Sequence, residues 1–266
     1  NGTQFIASLK KATKKKPVVV IKSGSSKRGA MAAASHTGSL AGADEIFSDI
    51  MKQCGVLRAP GIDAALNWCK FLSTNPMPKG ENSVIITNGG GIGVLAADSC
   101  ENHEVDLYDD LEVMKKIFSS SVPDFGSVKN PIDITGGGTI EDYERALQAA
   151  LEHEDIHSVI NLGCETAVLD ANWLSTSLEK VTNEYMKSKP IVHSFVGGQL
   201  IDNSIRVLKS KGVAIYSDVD EAVSCLGALY QFYRNINLRH EEFPQFDIDY
   251  NKIDEAIGMA RQAGRT

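Results

Sequence analysis

Apolar and polar positions along this chain keep two spacings, one helical and one strand-like, and they alternate in blocks. Residues 4–15 have helical spacing and end in lysines, which suit the negative end of a helix dipole. Pro17 stops that helix, and Val18-Val19-Val20-Ile21-Lys22 reads as a buried parallel strand. Ile46, Ile50 and Met51 restore the helical period between Ala43 and Cys54, and residues 61–72 repeat it. From Val84 onward strands and helices take turns. Strands are expected at 83–87, 157–162, 190–195 and 213–216, and a strand-like Ile132-Asp133-Ile134 lies between the first two. Helices are expected at 91–101, near 109–118, and at 140–152, 171–187, 199–211, 218–233 and 250–263. Strands separated by helices need crossover connections, so the pattern predicts an α/β fold with a parallel sheet covered on both faces.

Two polar stretches interrupt the pattern. Ser73 to Asn82, with Pro76 and Pro78, and residues 237–249, with Pro244, read as linkers. They divide the chain into 1–75, 76–236 and 237–266. Residues 23–43 are almost wholly Ser, Gly, Ala, Lys and Thr, can bury little, and are expected to form a mobile loop. Fully extended at about 3.3 Å per residue and tethered at both ends, its tip would reach on the order of 30 Å.

Composition narrows the function. A net charge of −7 and a pI near 5.4 argue against nucleic acid or anionic lipid as the main partner. No apolar run is long enough for a membrane span. Cys54, Cys69, Cys100, Cys164 and Cys225 are odd in number and scattered, which suits reduced thiols in a cytoplasmic protein and gives no metal site. The chain opens on Asn1 and ends at Thr266 without a stop-like tail, and is expected to be a piece of a longer protein.

Candidate chemistry lies in four places. His36 stands in Ser35-His36-Thr37-Gly38, and a neutral imidazole is a nucleophile toward phosphorus near neutral pH. Thr87-Asn88-Gly89-Gly90-Gly91 follows a strand and opens a helix, the setting in which free N–H groups and the helix dipole bind an anion, or else an ordinary tight turn. Asp133 runs into Gly136-Gly137-Gly138 and the cap Thr139 at a strand's carboxyl end, where it either meets a ligand or satisfies loop amides. Glu165, after Cys164, either orients an imidazole or stays solvated, and Cys164 has no basic neighbour to activate it. Of the other histidines only His193, at a strand end, invites attention.

Taken in order, these segments resemble one family, the NDP-forming acyl-CoA synthetases, relatives of succinyl-CoA synthetase and of ADP-forming acetyl-CoA synthetase. Lys16-Pro17-Val18-Val19-Val20-Ile21-Lys22-Ser23-Gly24 leading to Ser35-His36-Thr37-Gly38 is similar to the family's strand and phosphohistidine segment. Thr87-Asn88-Gly89-Gly90-Gly91, Lys129 to Gly136, and Val196-Gly197-Gly198 are similar to landmarks of its second flavodoxin-like domain. The resemblance implies two flavodoxin-like parallel sheets, the first partial and the second complete. It implies that a CoA-binding Rossmann domain precedes this stretch and an ATP-grasp half follows it, so the parent is a single chain and the stretch alone is inactive.

The implied reaction interconverts acyl-CoA, phosphate and ADP with carboxylate, CoA and ATP through an acyl phosphate and a phosphorylated His36. The implied roles are His36 as the catalytic group, and Asn88, Gly89, Gly90 and Gly91 around the phosphate. Ser35, Thr37, Gly38, Asp133 and Glu165 are supports, with the carboxylate that orients His36 outside this stretch. CoA, ATP or ADP, phosphate and magnesium serve the full-length enzyme, none held tightly here. The partners are the two missing domains and a small carboxylic acid, with homo-oligomerisation left open. Two alternatives stand beside this: a degenerate synthetase-like sensor of a protein acetyltransferase, in which the histidine is typically lost, and a non-catalytic anion-binding scaffold.

Overall fold

A computed structural model of the chain describes residues 1–37, 44–167, 171–185, 187–237 and 249–262, with the side chains of residues 36, 37, 171, 172, 175 and 250 outside that description. The chain forms two compact units, Asn1–Ile236 and Asn237–Thr266.

The first unit begins with α1 (Gly2–Thr13), whose free amides are capped by the Asn1 side chain. It leads to β1 (Val19–Val20), α2 (Lys27–Thr37), α3 (Asp44–Gln53), β2 (Leu57–Arg58) and α4 (Ile62–Thr74). β1 and β2 pair in parallel, Val19 opposite Leu57 and Val20 opposite Arg58. Next come β3 (Ser83–Thr87), α5 (Gly90–Asn102), α6 (Leu111–Phe118), β4 (Ile132–Asp133), α7 (Ile140–Glu152), β5 (Ser158–Cys164), α8 (Ala171–Tyr185), β6 (Ile191–Val196), α9 (Gln199–Ser210), β7 (Ile215–Tyr216) and α10 (Val219–Asn237). The last five strands form one parallel sheet in the order β4-β3-β5-β6-β7.

The doubly covered sheet follows from strand periodicity. Ile85 and Ile160 point into one core with α5, α10 and α4, whereas Val84, Ile86 and Val159 point into the other with α6, α7, α8 and α9. Successive side chains on a strand take opposite faces, and here both faces are apolar. Leu57, Ala65, Trp68 and Phe71 join the α10 side of that core. The short β1–β2 sheet therefore has one small cluster of its own, around Met51, Cys54 and Val56, and takes the rest of its support from α10.

One expectation is corrected. Residues 23–43 were expected as a mobile loop, but 27–37 form α2. Ser26 starts it, its backbone oxygen accepting from the Ala30 N–H at 2.8 Å and its Oγ from the Gly29 N–H at 3.1 Å. Ala30, Ala32, Ala33 and Ala34 then carry the strongest intrinsic helix preference. Small residues bury little, which resembled a linker, but alanine costs a helix nothing. The 30 Å reach of an extended loop thus does not describe this fold, and the backbone of His36 lies in the last turn of α2. Residues 38–43, including Gly38, and most of the second expected linker lie outside the described residues. The second unit contributes α11 (Tyr250–Gln262).

Candidate functional site

The carboxyl ends of β3, β4, β5 and β6 lie side by side at one edge of the five-stranded sheet, where open α/β sheets bind their ligands. Asn88 is the hinge of this edge. It is 6% exposed, and its side chain spans to β5, Nδ2 donating to the Cys164 carbonyl at 3.0 Å and Oδ1 accepting the Cys164 N–H at 2.8 Å. Its amide joins two strand ends with Oδ1 and one Nδ2 hydrogen, and so shapes the turn.

A Cβ on Gly89 would come within 2.3 Å of Cys164 Sγ, so any larger residue there forces the thiol or the turn to move. The same built atom on Gly90 would stand 3.0 Å from an Asp133 carboxylate oxygen, and on Gly91 it would meet nothing within 4 Å. So Gly89 is closely packed, Gly90 stands against the Asp133 carboxylate, and Gly91 faces open space.

Three helices start at this edge with different N-terminal chemistry. α5 has no side-chain cap and no acidic residue in its first turn. α7 is closed by its own capping box, Thr139 Oγ1 accepting the Asp142 N–H at 3.1 Å and Asp142 accepting the Thr139 N–H at 3.0 Å. The N-cap residue of α9, Gly198, gives its N–H to Glu165 Oε2. The first amides of a helix have no intrahelical partner. The N-cap N–H of α5 is likewise taken, Gly89 donating to Thr87 Oγ1 at 3.0 Å. Of these three ends, however, α5 alone has neither a side-chain cap on its later amides nor an acidic residue in its first turn, the setting that suits an outside anion.

The remaining candidates divide. Asp133 Oδ1 accepts the Thr135 N–H at 2.8 Å, and Thr135 sits at φ +62°, a left-handed conformation that this hydrogen bond holds. Asp133 thus satisfies a loop amide and also presses a charge toward Gly90. Glu165 is exposed and orders the entry to α9. Ser35 turns its hydroxyl back to the Ala32 carbonyl at 2.7 Å. The side chains of His36 and Thr37 fall outside the described residues. Cys164 has its thiol pushed up, first by burial and then by Asp133. His193 is not an edge residue at all: it sits inside β6, fully buried, with Nδ1 2.9 Å from Asn161 and Nε2 3.2 Å from Thr182.

Two features were not legible in the sequence. A cleft beside the glycine turn is lined by Asn88, Ile134, Ile140, Tyr143, Thr166 and Trp173, with Tyr143 and Trp173 in an edge-to-face contact at 5.5 Å. Its residues come from five separate segments, which no local pattern joins. The second is an ion cluster at the carboxyl ends of β1 and β2. Asp44 takes both Arg58 Nη2 contacts, at 2.8 and 2.9 Å, and Lys22 Nζ at 2.9 Å.

Comparison with known proteins agrees with this geometry. The family described as succinyl-CoA ligase like flavodoxin domain matches residues 1–72, and the Ligase-CoA domain family matches residues 83–239. A structure of Ca. Korarchaeum cryptofilum acetyl-coenzyme A synthetase 1, in complex with phosphate and ADP, superposes with a TM-score of 0.82 at 36% identity, covering 88% of this chain and 50% of that one. These are the two flavodoxin-like modules of a CoA ligase. The chain belongs to the NDP-forming acyl-CoA synthetase family.

Among curated relatives, the alpha subunit of acetate–CoA ligase [ADP-forming] I of Pyrococcus furiosus is 47% identical over 232 residues, 87% of this chain and 50% of that protein. The 4-hydroxybutyrate–CoA ligase [ADP-forming] of Nitrosopumilus maritimus is 28% identical over 267 residues, 38% of its length. The chain thus spans about half the length or less of these curated relatives.

Proposed function

We propose that this chain is the phosphoryl-carrying part of an ADP-forming acyl-CoA synthetase, with His36 as the carrier. The observation that carries the reading is the uncapped first turn of α5 from Gly90 to Ile92, set at the ligand edge of a parallel sheet. Its free amides and helix dipole favour a dianionic phosphoryl group without any side chain. The names of the relatives, acetate–CoA and 4-hydroxybutyrate–CoA ligases, support the same reaction class and leave the acid open.

In this reading phosphate attacks the thioester carbonyl and CoA leaves as the thiolate, giving an acyl phosphate. The His36 imidazole attacks phosphorus, the P–O bond to the acyl group breaks, and the carboxylate departs with its electron pair. ADP then accepts the phosphoryl group and the neutral imidazole returns. The helix end stabilises charge on the transferring group while the protein does little covalent work. The CoA and nucleotide sites, and magnesium with the nucleotide, belong to the rest of the parent protein. In this reading the parent works in the cytoplasm.

The test uses the full-length parent with γ-labelled ATP and magnesium. The expected result is a protein-bound label that is acid-labile, alkali-stable and absent in His36→Ala. Folded parent that takes no label would sink the carrier assignment and favour a degenerate acyl-CoA sensor.

A further inference from the structure

The strands β1 and β2 end at a cluster that the phosphate chemistry of α5 does not use. Lys22 follows β1, Arg58 closes β2, and Asp44 is the first residue of α3. Both cations converge on the Asp44 carboxylate, Arg58 through Nη2 to both oxygens at 2.8 and 2.9 Å, and Lys22 at 2.9 Å. The Phe47 ring lies beneath both, 5.5 Å from Lys22 Nζ and 5.7 Å from the Arg58 guanidinium carbon. Arg58 also bonds the Ser48 hydroxyl through Nη1, so it is tied to α3 at two points. Hydrogen bonds from Lys22 and then Arg58 hold the Asp44 carboxyl below its ordinary range.

The side chains of all three are only 16–26% exposed. Ordering three long or charged side chains on the surface of a two-stranded sheet returns little stability, since such pairs contribute about 0–1 kcal/mol. What they return is geometry: the Arg58 guanidinium is held on α3 at Asp44 through Nη2 and at Ser48 through Nη1, which fixes an angle as well as a distance. The fixed points are informative. Lys22 and Asp44 flank the stretch that contains His36 and bond each other, and Arg58 ties Asp44 to the neighbouring strand.

We propose that Asp44, gripped by Lys22 and Arg58, is a positioning residue for phosphoryl transfer, a clasp that closes the base of the His36-bearing stretch and sets where α2 and α3 leave the sheet. The proposal rests on His36 being the phosphoryl carrier. The clasp touches neither substrate nor the reacting atoms. It acts by holding the entry and exit of the stretch at a set separation, and a displacement of about 1 Å at a reacting group is enough to cost on the order of 100-fold in rate.

The experiment follows single-turnover transfer of label from γ-labelled ATP to His36 in the full-length parent, comparing wild type with Asp44→Asn, Asp44→Glu and Lys22→Gln. The amplitude counts folded, competent molecules and the rate constant reports positioning. The rate constant is expected to fall at least about 10-fold in Asp44→Asn, with KM for the nucleotide within about 2-fold and partial recovery in Asp44→Glu. A brace with no role in transfer would lower the amplitude and leave the rate constant at the wild-type value, and that outcome overturns the proposal. Should Asp44→Asn not fold, Lys22→Gln, which keeps the Arg58 pair, is held to the same criterion. Wild type without label at His36 defeats the carrier assignment and the clasp with it, whereas a labelled wild type with equally fast variants defeats the clasp alone.

Discussion

At the scale of single residues, the same side-chain type does unrelated work according to its surroundings. His193 shows this most plainly. Complete burial pushes its imidazole down to about 3, and Asn161 and Thr182 occupy its two nitrogens. It is therefore neutral in the folded chain, whereas in the unfolded chain it takes up a proton near its ordinary value of about 6.5. Between those values the unfolded state binds more protons, so stability falls as pH drops from 6.5 toward 3, by up to about 1.4 kcal/mol per pH unit from this group. Urea unfolding at pH 7 and pH 5 should show a smaller loss in His193→Gln than in wild type, although the variant starts less stable. Equal losses in the two proteins would show that the acid sensitivity resides elsewhere. The sequence offered only a histidine in a strand, and periodicity does not say how many layers cover that strand.

At the scale of elements, the start of α5 holds two opposite demands within three residues. Gly89 is locked against Cys164, while Gly91 faces open space. Gly89→Ala should cost about 1–3 kcal/mol through forced displacement of Cys164 or the turn. Gly91→Ala should leave stability unchanged or raise it by up to about 1 kcal/mol, since alanine is the better helix former. Denaturant midpoints of the two variants check this, and a reversed order would contradict the packing described here.

The glycine run itself was legible because a strand, three glycines and a helix make a local pattern. The difference between its glycines was not, because Cys164 and Asp133 arrive from distant strands. α2 was misjudged for the complementary reason. Its alanines argue for a helix and its burial argues for nothing, and the Ser26 cap that decides the matter is a single residue among many serines.

At the scale of the molecule, residues 1–236 are one compact unit although two families match its halves. Phe71 and Trp68 on α4 belong to the same core as Tyr230 and Leu226 on α10. Trp68 Nε1 also donates to Ser224 Oγ at 3.3 Å. Phe71 is wholly buried, so Phe71→Ala should cost about 3–5 kcal/mol and should destabilise both halves together. Circular dichroism and tryptophan fluorescence should then give one shared, lowered transition. Two separated transitions would mean that the halves fold independently.

The chain's own order of residues determined the parallel α/β architecture, the placement of β3, α5 and α7, and the glycine turn that opens α5. Each of these is written in spacing that a few neighbouring residues carry. Only the tertiary structure decided that Asn88 joins its amide to Cys164, that Glu165 takes the Gly198 N–H at the start of α9, and that Lys22, Asp44 and Arg58 meet at one carboxylate. Those facts depend on which strand ends lie side by side, and pairing between segments far apart in sequence is set by how the whole core packs.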